Sequence, residues 1–318
     1  MQVINHSEIA NFLDQEEAYR LQKEGFIAFA KGDVIQPPVA HLELDKGSLH
    51  IKYGMLKGDH HFVIKHATGF SGNWARGLAT GDGFLCVFCA ETGVLKSILL
   101  DQGFLTDLRT AIAVRISAEY FAPRSVSCVG VLGTGVQARL SAEQQAIATG
   151  CKSILVWGRN KHRVAAYQQD MEAKGFLVSI AESPDELLKK ADLVITSASS
   201  RTPLLGSSGD VKTKLIVAVG CDEKGKQELD PQLFSLSCRV IGDNPSQCLQ
   251  IGELQHSSFD ESGVLTLGSM LHEPSPSELG LTIVDLTGLA VQDIQMANCI
   301  MKAMESDQGD RDVKKQTI

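Results

Sequence analysis

Hydrophobic and polar positions change period several times along the chain. Ile9, Phe12, Leu13, Tyr19, Ile27 and Phe29 include helical spacings, which predicts one helix over 7–31, capped by Ser7 and ended by Gly32-Asp33. From 36 to 100 the pattern shortens. The runs Leu49–Tyr53, Phe62–Ala67 and Phe84–Ala90, separated by Gly and Asp, predict a β-rich segment. Leu108, Ile112, Ile116 and Tyr120 then share one helical face until Pro123. From 126 onward, short apolar runs alternate with helical stretches. Strands are expected at Val126–Leu132, Ile154–Trp157, Phe176–Ile180, Leu193–Thr196, Leu215–Val219, Arg239–Ile241 and Ile283–Asp285. Helices are expected at Val136–Thr149, from after Trp157 to Lys174, from the Ser183-Pro184 start, and from Leu289 to Met304, followed by a polar tail expected to fray. This alternation predicts an α/β chain with a Rossmann-type, doubly wound parallel sheet and a second, α+β domain.

Composition narrows the class. The 318 residues are 43% hydrophobic and 21% charged, which excludes a disordered chain or a disulfide miniprotein. The formal net charge of −8 argues against nucleic acid or an anionic membrane as partner. No apolar run reaches the ~18 residues of a membrane-spanning helix, and the first residues lack a signal-peptide pattern. Eight dispersed cysteines fit a reducing, cytoplasmic setting. Cys86 and Cys89 have CxxC spacing inside an apolar strand, where alternation separates the thiols, so a metal or redox role is not expected.

The strongest motif is Gly133-Thr134-Gly135-Val136-Gln137-Ala138, a GxGxxA turn between a predicted strand and a predicted helix. There the first glycine makes the turn, the second admits a pyrophosphate, and the helix start receives its charge. The bland reading is a glycine turn that merely packs. Candidate cofactor contacts are Gly133, Thr134, Gly135, Val136 and Gln137, then Arg159 and Asn160, then Ser197, Val219 and Gly288 at later strand ends. The end of the second strand, Gly158-Arg159-Asn160, has no acid for a ribose hydroxyl but offers a cation, so NADP is the expected cofactor and NAD the alternative. The bland reading is that Arg159 only begins a solvated helix.

Four residues are candidates for substrate chemistry. Thr106 or Asp107 is expected to cap a helix, putting Arg109 in its first turn against the macrodipole, as though serving a carboxylate. A local pair with Asp107 is the equal alternative. Lys52 and Lys65 lie in apolar strand contexts, where a lysine either reaches solvent or sits in a site with a shifted pKa. Asp222, after Val219-Gly220-Cys221, ends a strand where open α/β sheets bind ligands, although a turn aspartate is as natural.

These residues resemble the ornithine cyclodeaminase/μ-crystallin family. The resemblance runs nearly end to end through Thr106-x-Leu-Arg-Thr110, the 133–138 turn, Gly220-Cys-Asp-Glu-Lys-Gly-Lys-Gln-Glu-Leu-Asp230 and Asp285-Leu-Thr-Gly-Leu-Ala-Val-Gln-Asp293. It implies a substrate-binding and dimerising domain of 1–122 plus 290–318, a dinucleotide domain of 123–289, and an NAD(P)-linked site between them. It also implies that Arg109 holds a substrate carboxylate, Lys65 lines the pocket and Asp222 sits near the reacting nitrogen. One departure stands out. Many members carry a carboxylate-binding Arg or Lys after a Pro-Pro pair, where this chain has Pro37-Pro38-Val39, and Lys52 is expected to supply the missing cation. The expected activity is NAD(P)H-dependent oxidoreduction at the Cα–N bond of a small 2-imino or 2-amino acid, cyclic or acyclic, by a homodimer. Ornithine cyclodeamination and non-enzymatic NADPH-dependent binding of a small molecule are the alternatives.

Overall fold

The computed structural model describes residues 1–206, 210–278 and 280–316, with side chains as far as 307. The chain opens with β1 (Gln2–Asn5), α1 (His6–Phe12) and α2 (Gln15–Ala30). The expected single helix is therefore two. Asn5, not Ser7, caps the first by accepting from Glu8 N, and Asp14 interrupts the run because its carboxylate caps the second at Glu16 N and Glu17 N. Then come β2 (Val34–Ile35), β3 (Ala40–Leu44), β4 (Gly47–Leu56), β5 (His61–Gly69), β6 (Gly81–Cys89), β7 (Leu95–Leu100) and α3 (Phe104–Phe121). The helix α3 starts before Thr106. The Asp101 carboxylate accepts from Leu105 N at 2.9 Å, so Arg109 lies beyond the first turn and the expected macrodipole conflict does not arise.

The next stretch holds β8 (Val129–Leu132), α4 (Val136–Thr149), β9 (Ser153–Trp157), α5 (Lys161–Ala173), β10 (Leu177–Ile180), α6 (Pro184–Lys190) and β11 (Leu193–Thr196). It continues through β12 (Arg201–Leu205), β13 (Leu215–Ala218), β14 (Gln227–Leu229), α7 (Gln232–Leu236), β15 (Ser237–Gly242), α8 (Pro245–Ile251), β16 (Leu265–Thr266) and β17 (Leu281–Asp285). The last helix, α9 (Ala290–Gln316), runs through the tail expected to fray, and residues 317 and 318 of that tail lie outside the described residues.

Two compact units result: Met1–Arg109 with Leu289–Ile318, and Thr110–Gly288. The division falls inside α3, not at the Pro123 break in the sequence pattern. The first unit is a seven-stranded sheet in the order β1-β7-β6-β5-β4-β2, with β3 also on β4. Its pairs are antiparallel except β1 with β7. One face packs on α9. Register carries a row across it, buried from Ile4 through Leu99 and Leu85 to Lys65 and ending at the half-buried Lys52. Gly25 of α2 lets α9 come close, since a Cβ there would lie 3.1 Å from the Gln295 side chain and 3.2 Å from that of Val291.

The second unit is an eight-stranded parallel sheet in the order β10-β9-β8-β11-β13-β17-β15-β16. Chain order reverses between β8 and β11, the switch point at which open α/β sheets bind ligands. No helix separates β11 from β13 among the described residues; the short β12 and β14 pair there as a small parallel ribbon instead. This unit buries Asp243, Asp285, Glu228 and Glu253 completely. Desolvation pushes Glu228 and Glu253 upward, and Asp285 up to about 7. A carboxyl raised on folding stabilises the fold fully below its unfolded pKa, near 4, and that contribution is lost as pH rises through the folded value. The melting temperature of the wild type should therefore fall relative to Asp285→Asn between pH 5 and pH 8. Parallel thermal scans of the two proteins across that range check this, and a constant difference would refute it.

Candidate active site

In the first unit, two strands and two helices build a buried cationic cluster. Lys65 points from β5 to the α9 face, where its Nζ lies 2.8 Å from Asp293 Oδ1. Arg109 of α3 brings Nε to 3.4 Å from the same oxygen. Its Nη1 donates to Gln292 Oε1 at 3.2 Å, and Gln292 Nε2 donates back to Arg109 O at 3.2 Å. The Gln292 backbone is fixed in turn by Gln22 Nε2, which donates to its carbonyl at 2.7 Å. The side chains of Lys65, Asp293 and Arg109 are only 3%, 3% and 9% exposed, so these charges meet with little water between them.

Lys52 is the direct cross-strand partner of Lys65. Facing positions share a side of the sheet, with Cβ atoms about 5 Å apart. Register thus brings together the three cations that the sequence singled out separately. Asp101 also faces Lys65, and burial raises its pKa to about 6. Burial lowers the pKa of Lys65, Asp293 pulls it back up, and Arg109 pushes it down again. Asp293, which organises the cluster, was not among the candidate site residues. Its signal was its position: the last residue of the 285–293 motif, on a predicted helix face that is otherwise apolar.

In the second unit, the cofactor candidates gather at the C-terminal ends of the strands. Gly133 follows β8 with φ of +122°, and its amide donates to Trp157 O at 2.9 Å. A Cβ at 133 would lie 2.8 Å from Ser197 O, so Ser197, after β11, and the glycine turn fit only each other. No side chain caps α4 at Gly135, which leaves the positive helix start to a ligand. Arg139 braces the turn from behind, donating to Thr134 O at 2.6 Å and Gly135 O at 3.2 Å. These features fit a dinucleotide pyrophosphate: the chain comes close only where it lacks Cβ, and the helix end supplies the charge. Val136 is exposed, and Gln137 continues the first turn of α4.

After β9, Arg159 is exposed and Asn160 caps α5, accepting from His162 N at 3.0 Å and Arg163 N at 3.2 Å. Val219 N donates to Thr196 O at 3.0 Å, joining the ends of β13 and β11. Gly288 has φ of +80° and donates its amide to Asp243 Oδ2 at 2.7 Å. Asp222 lies beyond the end of β13 with its side chain 45% exposed, and its Oδ1 is 2.6 Å from Lys226 Nζ. The arrangement is a carboxylate held by a half-buried lysine beside the strand ends.

The described helices include none long and apolar enough to cross a membrane. The chain matches the model of the ornithine cyclodeaminase/mu-crystallin family over residues 1–308. It is 29% identical to a putative dehydrogenase of Rhizobium meliloti over 97% of this chain and 98% of that protein. The solved iminosuccinate reductase of Paracoccus denitrificans, in complex with NAD+, is 26% identical with a TM-score of 0.83, covering 96% of this chain and 97% of the other. The Δ1-pyrroline-2-carboxylate reductase of Thermococcus litoralis, in complex with NADH and L-proline, has a TM-score of 0.87 at 19% identity, covering 97% and 98%, and shares the fold. With the family model spanning both units and all four sequence signposts, the chain belongs to the ornithine cyclodeaminase/mu-crystallin family.

Proposed function

We propose that this protein is a nicotinamide-dependent oxidoreductase of the Cα–N bond of small 2-imino and 2-amino acids. The observation that carries the reading is the buried cluster of Lys65, Arg109 and Asp293 with Lys52 beside it. Buried cations gathered at one place, with Asp293 and Asp101 as their acidic partners, form a setting in which a small carboxylate ligand finds strong, desolvated donors. The Paracoccus and Thermococcus relatives, named for iminosuccinate and pyrroline-2-carboxylate reduction, act on substrates with such a carboxylate beside C=N.

A bound nicotinamide supplies or accepts the hydride. The chain's own groups do the rest. Arg109 grips the carboxylate, and Lys52 adds the cation absent at Val39. Lys65, with its pKa pulled down by burial, is a readier proton donor than an ordinary lysine. Asp222 stabilises a positive nitrogen, which makes the adjoining carbon electrophilic. The second unit holds the dinucleotide through Gly133, Thr134, Gly135, Val136 and Gln137, with Asn160, Ser197, Val219 and Gly288 lining the strand ends.

NADP(H) is the preferred cofactor in this reading. The support is local: Gly158 offers no carboxylate to the adenine ribose, and Arg159 stands exposed beside it. The working form in this reading is a homodimer through the first unit; an archaeal alanine dehydrogenase of similar fold was solved as a dimer. The sheet face opposite α9 carries the stacked pairs Phe62–Phe88 and His66–Phe84, with Leu42, Leu44, Tyr53 and Leu100 exposed around them. A second copy is the natural cover for an apolar face of this breadth.

Four experiments test the proposal. A panel of cyclic and acyclic 2-imino acids, with ornithine alongside, should show turnover with a reduced nicotinamide. Arg109→Ala should lower kcat/KM by about 30-fold or more while cofactor still binds, the scale of an unpaired, desolvated charge; wild-type kcat/KM in that variant would assign Arg109 to the helix alone. Turnover should be faster with NADPH than with NADH. A Cβ at 158 would lie 2.8 Å from the Thr134 methyl, so Gly158→Asp is paired with Thr134→Ser, and the double variant should reverse the order. A tenfold wild-type preference for NADH would overturn the assignment. Light scattering at micromolar concentration should give a dimer, and Ile64→Glu, which puts a charge into the apolar face, should dissociate it. An active wild-type monomer would refute the assembly.

A further inference from the structure

Three side chains of one short turn converge on the loop that carries Asp222. The loop lies between the end of β13 and the start of β14, outside regular structure, and within it the Lys226 amide donates to Glu223 O at 3.2 Å. The turn is the 3-10 segment Glu253–His256, directly after α8. Gln255 Nε2 lies 2.9 Å from Gly252 O, 3.2 Å from Glu223 O, 3.3 Å from Lys226 O and 3.5 Å from Cys221 Sγ. Its Oε1 accepts from Gly225 N at 2.7 Å. A backbone amide can only donate, so this bond fixes which end of the Gln255 amide faces the loop. The two Nε2 hydrogens are shared among acceptors on both sides of Asp222. His256 Nε2 donates to Lys226 O at 2.7 Å. Glu253 accepts from Glu228 N at 2.8 Å and from Leu229 N at 3.1 Å, which anchors the far end of the loop. The turn itself is held to the sheet, because Leu254 N donates to Asp285 Oδ2 at 3.1 Å.

The held segment ends in Lys226, whose Nζ reaches Asp222 Oδ1 at 2.6 Å and Glu223 Oε2 at 3.6 Å. Moving residues 223–226 therefore moves the cation behind Asp222 as well as the backbone in front of it. We propose that Gln255 is a positioning residue for the reaction: it fixes the 221–226 loop so that Asp222, backed by Lys226, meets the reacting nitrogen in one orientation. Gln255 does not itself contact the substrate. This inference rests on the imino-acid reading of the site, and it adds that the placement of Asp222 is built from the turn after α8. A misplacement of about 1 Å in such a group costs on the order of 100-fold in rate.

A double-mutant cycle between Gln255→Ala and Asp222→Asn tests it. Gln255→Ala should lower kcat for a 2-imino acid by roughly 10-fold or more, with KM and the NADPH dissociation constant changed less than about 3-fold. In the Asp222→Asn background the same change should cost less than about 2-fold, because the group it positions no longer carries charge. Gln255→Glu, which keeps the acceptor for Gly225 and loses both donors, is measured in the same cycle and should follow Gln255→Ala. If Gln255→Ala folds poorly, that isosteric variant decides. Equal losses in both backgrounds would overturn the positioning role while leaving the reaction intact. An Asp222→Asn variant with wild-type kcat would instead overturn the reading of Asp222 on which the inference rests.

Discussion

A single carboxylate shared by two buried cations is the constraint around which the first unit is built. Taking Lys65 and Arg109 out of water costs several kcal/mol each, which Asp293 offsets in part and Asp101 in part. The remaining demand is met by what surrounds them: the Gln292 amide, exchanged with Arg109 in both directions, and the Gln22 bond that locks the Gln292 backbone. The long helix α9 therefore has two tasks in consecutive residues. Val291 and Ile294 pack its apolar surface, while Gln292 and Asp293 carry the polar centre.

The second unit solves the opposite problem. Its fully buried ionisable groups include four carboxyls, three of which serve the backbone. Asp243 accepts from the Thr287 and Gly288 amides and the Thr287 hydroxyl, holding the turn after β17. Glu253 and Asp285 do the same for the 228–229 and 254 amides. Asp243 and Asp285 lie at or just beyond the C-terminal end of a strand, where loops leave the sheet and backbone donors lose their ladder partners, and Glu253 reaches the β14 amides from the turn after α8. The carboxyls replace those partners. The same end of the sheet must present a glycine turn and a helix start to a dinucleotide, so its loops need support that does not fill the crevice.

Much of this was readable in residue order. The GxGxxA turn, the strand–helix alternation and the C′ glycine at Gly150 are short-range features, set by steric and hydrogen-bonding rules acting within a few residues. They located α4 to the residue. The N-terminal helix was misjudged for a reason of the same range: apolar spacing continues through Leu13, but Asp14 offers the next helix a cap and ends the first. Arg109 was singled out on a mistaken premise. The helix begins earlier than Thr106 because Asp101, outside the helical pattern, supplies its first acceptor.

The sequence by itself determined the family, the α/β class, the glycine turn and the identity of the cations, because each depends on local pattern or on motifs that survive as strings. Tertiary structure alone decided how they work together. Lys52 and Lys65 are thirteen positions apart in the chain and become neighbours only through the antiparallel register of β4 and β5. Asp293 reaches Lys65 and Arg109 across most of the chain, and Gln255 finds the Asp222 loop from thirty residues away. A charge or an amide has no sequence period of its own, so its partner is known only once packing has closed the distance.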